Sequence, residues 1–172
     1  AGSDKPKKTG KFAGARVFSY VWPTSIDPIE VGFEGKSGIL ALAVTVHPDF
    51  NDTPLFENDG SKWHTHWVVL TPDEACGPKG MKVKDIAEGT KPKLPKTWPG
   101  VPLYIDSPGY PPKFSGKKVV VKVPFDNIAA VESSKFDGVT SGLRVNESVH
   151  APLLCIENIF KVASGDLSLP GK

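Results

Sequence analysis

The chain of 172 residues has almost no net charge: Lys+Arg 21 against Asp+Glu 19 leaves +2. A nucleic-acid surface usually carries a concentrated basic excess, so the balance argues against that partner class. Long apolar runs are missing too. The longest, Gly38 to Val46, is about half of the roughly 20 residues a bilayer crossing needs, so no membrane span is expected. A single methionine, Met81, excludes a methionine-rich Cu(I) carrier. The two cysteines, Cys76 and Cys155, lack the short spacing of a thioredoxin-like or zinc pair. The chain has no Gly-x-Ser-x-Gly elbow, no Gly-x-Gly-x-x-Gly and no Walker loop, so its motifs support neither a hydrolase nor a nucleotide-binding site.

Turn formers are abundant. Gly 17 and Pro 17 make up about a fifth of the chain, against roughly 12% in average usage, and that density excludes a helical bundle or coiled coil. Hydrophobic content of 39% is too high for a disordered chain. Strand signals recur at Phe12–Val21, Ile39–His47, Trp63–Leu70, Lys117–Val123 and Leu153–Val162, with shorter candidates at Val101–Ile105 and Val139–Val145. Pro48, Pro72 and Pro124 follow three of them, as expected of a residue that removes a ladder donor. Helix is scarce: one short helix is expected over Asp126–Glu132 with Asp126 as its cap, and one turn over Met81–Ala87.

Residues 1–10 read as a flexible arm and 11–172 as one β-rich metal-binding domain. Gly89–Pro112 holds Pro92, Pro95, Pro99, Pro102, Pro108, Pro111 and Pro112, with Trp98, Tyr104 and Tyr110 to pack it onto the body as an ordered loop. The expected fold is all-β: an antiparallel β-sandwich or open barrel with long Pro-rich loops and one or two short helices.

The small-residue start Ala1-Gly-Ser-Asp4, followed by Lys5, Lys7 and Lys8, resembles what remains after signal-peptide removal or after trimming of a tag. The first reading predicts a periplasmic or secreted protein. There the default for Cys76 and Cys155 is one disulfide, closing a long loop and contributing about 4 kcal/mol in the chain-entropy picture. Two unrelated buried thiols are the alternative.

The four histidines, His47, His64, His66 and His150, carry the chemistry. His64 and His66 lie in Trp63-His-Thr-His-Trp67 at the head of a strand, where alternation puts them on one face with Val68 and Leu70. Trp63, Thr65, Trp67 and Val69 face the other way. Two positions along a strand span roughly 6.6 Å between Cα atoms, which lets two imidazoles converge on one ion. As structure alone such a pair is costly, since each ring needs a polar partner and protonating both sets like charges side by side. A metal removes the difficulty, because neutral imidazole is the ligand form. His47 ends a strand at a sheet rim, and His150 precedes the last strand. Either completes a three-histidine site, and His150 is favoured because a loop residue can aim its ring inward.

An all-nitrogen site suits copper, zinc, iron or nickel and disfavours calcium and magnesium. Cysteines tied up in a disulfide argue against a blue-copper site. Copper is the first choice and zinc the second. The Trp-His-Thr-His-Trp strand, the remote histidine and the exported β-fold together resemble the MopE/CorA copper-binding surface proteins of methane oxidisers. That family binds copper through two histidines and a tryptophan oxidised to kynurenine, placed two residues before the first ligand histidine. The resemblance implies that His66 takes the first histidine position and His150 the remote one. His64 stands where the family has its tryptophan, which implies a plain three-histidine site; Trp63 and Trp67 flank it as candidates for oxidation.

Three functions follow as expectations. The first is an exported copper-binding protein that stores, scavenges or delivers the metal from a mononuclear histidine site, with a partner copper protein to exchange with. The second is a copper or iron oxidoreductase on a sandwich or cupin-like fold, with Glu74 or Glu157 assisting. A cupin would want its glutamate only a few residues past the histidine pair, and Glu74 is too far along for that. The third is a metal-free interaction module built on the tryptophans.

Overall fold

The computed structural model describes residues 16–47, 62–145, 154–163 and 165–169. Among the described residues nine strands run β1 Arg16–Pro23, β2 Ile39–Val46, β3 His64–Pro72, β4 Met81–Val83, β5 Ile105–Asp106, β6 Lys113–Ser115, β7 Lys118–Val120, β8 Val139–Val145 and β9 Leu154–Val162. Six of them pair antiparallel in the order β2-β1-β8-β9-β4-β3, and β3 pairs back onto β2. The sheet therefore closes into a six-stranded barrel. Closure, as opposed to an open barrel or stacked sheets, removes the exposed edges that an open sheet would have to protect. β5 adds to the outer edge of β3, and β6–β7 form a separate hairpin. The proposed arm at residues 1–10 lies outside the described residues.

Two apolar clusters follow from strand alternation. One draws Val21, Ala41, Ala43, Val68, Leu70, Val83 and Val139 as buried residues, with Leu154, Ile156 and Val162 packed against them. All six ring strands contribute to it, so it is the barrel lumen. The other joins Leu40, Leu42, Trp67 and Val69 on the outer face of β2 and β3 to Ile26, Phe33 and Tyr104 from the flanking loops. β2 and β3 are thus buried on both faces, which explains why their sequences read as continuous apolar runs. Gly38 marks how closely the loop before β2 approaches β3: a Cβ there would sit 2.6 Å from the Leu70 carbonyl oxygen. No other residue fits without displacing backbone.

The Met81–Ala87 segment is not helical. Met81–Val83 forms β4, because its two edges are wanted by β3 (Leu70↔Val83) and β9 (Lys82↔Cys155), and those pairings outweigh a marginal single turn. The expected helix near residue 126 forms over Ile128–Glu132, and its cap is Asn127, not Asp126: the Asn127 side-chain oxygen accepts from the Ala130 N–H. The Lys117–Val123 segment is paired only over Lys118–Val120, in a hairpin with β6.

Cys76, in the turn after β3, is disulfide-bonded to Cys155 on β9 across a sequence separation of 79, with Cα atoms 5.4 Å apart. Beside it Lys82 donates to Asp85 and pairs with Asp73 at 2.6 Å. Among the described residues no helix is long and apolar enough to cross a membrane.

Candidate metal centre

Strand pairing places the histidines before any side chain is considered. His64 lies opposite Thr45, and His66 opposite Ala43. Ala43, Thr45 and His47 share the inner face of the β2 line, while His64, His66, Val68 and Leu70 share the inner face of β3. His47 stands one residue past the last residue of β2, and His64 is the first of β3. The three rings meet at one mouth of the barrel. His47 and His66 are buried, whereas His64 is partly exposed.

The ring nitrogens converge. His64 Nε2 lies 2.8 Å from His47 Nε2, which lies 3.4 Å from His66 Nε2. All three ligand atoms fall within 4.8 Å of one another, so the cluster can hold a metal ion. Two Nε2–metal bonds of about 2.0–2.1 Å at a tetrahedral angle put the nitrogens about 3.3 Å apart. The His47–His66 separation already has this value, and the His47–His64 pair would open by about half an ångström. The ring of His64 stands nearly perpendicular to those of His47 and His66, at 81° and 85°, while the His47 and His66 rings lie near-parallel at 22° with centroids 5.7 Å apart.

The opposite ring nitrogens explain why the Nε2 atoms are available. His64 Nδ1 lies 3.0 Å from the Lys62 carbonyl oxygen, and His66 Nδ1 lies 3.1 Å from that of Asp106. A carbonyl oxygen only accepts, so both Nδ1 atoms carry the proton and donate. In a neutral imidazole the lone pair is then on Nε2, facing the other rings. His66 Nδ1 also lies 3.1 Å from Ser107 Oγ. Outer hydrogen bonds of this kind fix the tautomer and aim of a ligating histidine.

These outer groups come from the Pro-rich loop. β5 pairs Asp106 with Trp67, which brings the Asp106 carbonyl behind His66, and the Thr65 hydroxyl donates to the Tyr110 carbonyl at 2.9 Å, pinning the same loop to β3. Burial pushes the Asp106 carboxyl above the usual carboxylate range, against hydrogen bonds from the Thr97 hydroxyl and the Ser107 backbone N–H. Sequence reading treats Gly89–Pro112 as an ordered loop packed onto the body and misses this role. A carbonyl acceptor has no signature in the sequence, since every residue has one.

The other candidates are placed as follows. His150 lies outside the described residues, and His47 takes the third place in the cluster. Glu74 sits in the turn after β3, at the opposite end of that strand from His64. Glu157 forms an ion pair with Arg144 at 2.9 Å. Neither glutamate joins the histidine cluster. Trp63 packs outside the barrel against Phe18, Tyr20 and Phe114, with ring centroids 5.1–6.4 Å away. Trp67 is buried in the outer cluster.

No family model matches the chain, and neither a curated protein nor a solved structure matches it.

Proposed function

We propose that the protein is an exported copper-binding protein that stores, scavenges or delivers the metal, held as a single ion on His47, His64 and His66 Nε2. The observation that carries this reading is the inward convergence of three imidazole nitrogens, two of them with their Nδ1 protons committed to backbone carbonyls. A divalent ion at the centre of the cluster can accept a lone pair from each of the three rings.

Copper is favoured over zinc because borderline nitrogen donors bind Cu(II) most tightly among the first-row divalent ions. The resemblance to the MopE/CorA proteins points the same way. A disulfide supports an oxidising compartment, periplasmic or extracellular. Three protein ligands leave one coordination position open, and the partly exposed His64 at the barrel mouth gives a partner copper protein a place to exchange the ion. The same open position supports a second reading, a copper or iron oxidoreductase.

The test is metal content by mass spectrometry after mild purification, followed by Cu(II) and Zn(II) titration against a chelator. One copper per chain is expected, with copper displacing zinc. The double variant His64→Ala/His66→Ala is expected to lose at least about a hundredfold in copper affinity. Full affinity in that variant would remove this ligand set. Dioxygen consumption by the copper-loaded protein would favour the oxidoreductase.

A further inference from the structure

The β6–β7 hairpin concentrates the positive charge of the chain. From Ser107 to Phe125 there are four lysines, Lys113, Lys117, Lys118 and Lys122, and no acidic residue; elsewhere acidic residues outnumber basic ones. Register sorts the hairpin side chains onto two faces. Phe114 lies opposite Val119, and the Phe114 ring packs against Trp63 and Tyr20 with centroids 5.1 and 6.4 Å away, so that face lies on the body. Lys113 with Val120, and Ser115 with Lys118, share the other face, and all four are exposed. Lys122 is exposed as well, between Val121 and Val123 of the outer apolar cluster. Among the described residues no carboxylate pairs with the ammonium groups of Lys113, Lys118 or Lys122, whereas Lys82 and Arg144 are matched by acids.

This hairpin stands at the histidine mouth of the barrel. Asp106 pairs with Trp67, the Tyr110 carbonyl accepts from the Thr65 hydroxyl, and Phe114 meets Trp63. The segment from β5 to β6 thus runs back along β3 to the residue just before His64. Charge and backbone together select the partner. β6 and β7 pair only with each other among the described residues, which leaves each strand an outer edge. Such an edge can take an added peptide strand. Lysines along it repel a second copy of this chain and attract an acidic segment, whose alternate carboxylates fall on one side when extended.

We infer that the β6–β7 hairpin is the docking surface for an acidic partner protein that exchanges copper at the adjacent mouth. An extended acidic segment of the partner lies along the hairpin, with Lys113, Lys118 and Lys122 as its counter-charges. Unpaired surface charge beside an exchange site steers the encounter and raises its rate. The inference rests on the copper-exchange reading above, and the experiment separates the two.

The probe is a fluorescein-labelled peptide of alternating glutamate and threonine, added at low salt to the full metal-free chain and followed by fluorescence anisotropy. Native protein should bind it saturably, with affinity falling as salt is added. Lys113→Glu/Lys118→Glu/Lys122→Glu should weaken binding by about tenfold or more. Lys36→Glu/Lys79→Glu/Lys135→Glu makes the same change in net charge around the opposite end of the barrel, where Ile39 meets Leu70, and should cost less than about threefold. Equal losses in the two triple variants would overturn the inference. Native protein that ignores the peptide would overturn it too, a result that needs no variant to fold; binding of phosphatidylglycerol vesicles in that case would make the hairpin a membrane contact. Copper uptake from Cu(II) held on the same peptide with a histidine appended should slow by about tenfold in the hairpin variant, with equilibrium copper affinity nearly unchanged. Peptide binding without copper uptake would overturn the metal-site reading and leave the docking surface standing; copper uptake without peptide binding would do the reverse.

Discussion

The two ends of β3 solve opposite problems. At its C-terminal end, around Pro72, charge and covalent links tie elements together: Lys82 sits between Asp73 and Asp85, and the Cys76–Cys155 disulfide ties the following turn to β9. At its N-terminal end, the ring nitrogens of three histidines gather within 4.8 Å of one another. The first end holds the chain together, and the second gathers a cluster that could hold a metal ion. Stability and binding are thus separated along a single strand.

The largest expected effect sharpens that separation. Cys76→Ala/Cys155→Ala, or reduction of the native protein, should cost about 4 kcal/mol through the freed denatured chain, lowering the melting temperature by about 10 °C. Copper affinity of the protein still folded should change less than twofold. Calorimetry and copper titration on the same variant check both, and a parallel fall in affinity would show that the two ends are coupled.

A smaller effect is expected at the histidine end. Ser107→Ala removes one of two partners from His66 Nδ1 and leaves the Asp106 carbonyl in place. Copper affinity should fall by about tenfold, at the low end of such outer-contact substitutions, with melting temperature nearly unchanged. If stability fell and affinity held, Ser107 would belong to the structural end of the comparison.

The smallest effect concerns pH at the other end. The Lys82 ammonium, then the Ala75 N–H, hold the Asp73 carboxyl below its ordinary value of 3.8. Asp73 and then Asp85 hold Lys82 above 10.5. A carboxylate with a depressed folded value stabilises above its unfolded value, and that contribution is lost as pH falls through the folded one. A raised lysine stabilises below its unfolded value and loses the contribution as pH rises through the folded one. The network therefore contributes fully between about 3.8 and 10.5 and fades on either side. Urea unfolding across pH should show a shallower acid slope in Asp73→Asn than in the native chain. These groups are partly exposed, so added salt should shrink the difference.

Much of the barrel is legible in the residues. The β2, β3, β8 and β9 segments announce themselves by apolar runs between turn formers, because a strand needs only period and boundaries to be read. β4 is not legible. Met81-Lys-Val83 is too short to carry a period, and it becomes a strand only because β3 and β9 lie on either side of it. The cap at Asn127 is missed for a related reason: Asp126 and Asn127 are both good caps, and the register of the helix against the body selects between them.

The site divides in the same way. That His64 and His66 face one side of a strand follows from alternation, which is local covalent geometry and needs no partner. That His47 stands third, that the face is a closed lumen, and that Asp106 offers its carbonyl to the outer ring nitrogen of His66 follow from pairings between segments tens of residues apart. The residue types and the two-residue spacing were determined by the sequence itself. Convergence of the nitrogens was decided only by closure of the barrel, because distance between remote residues is a property of the packed chain, set by hydrogen-bonded register and not by any pattern along it.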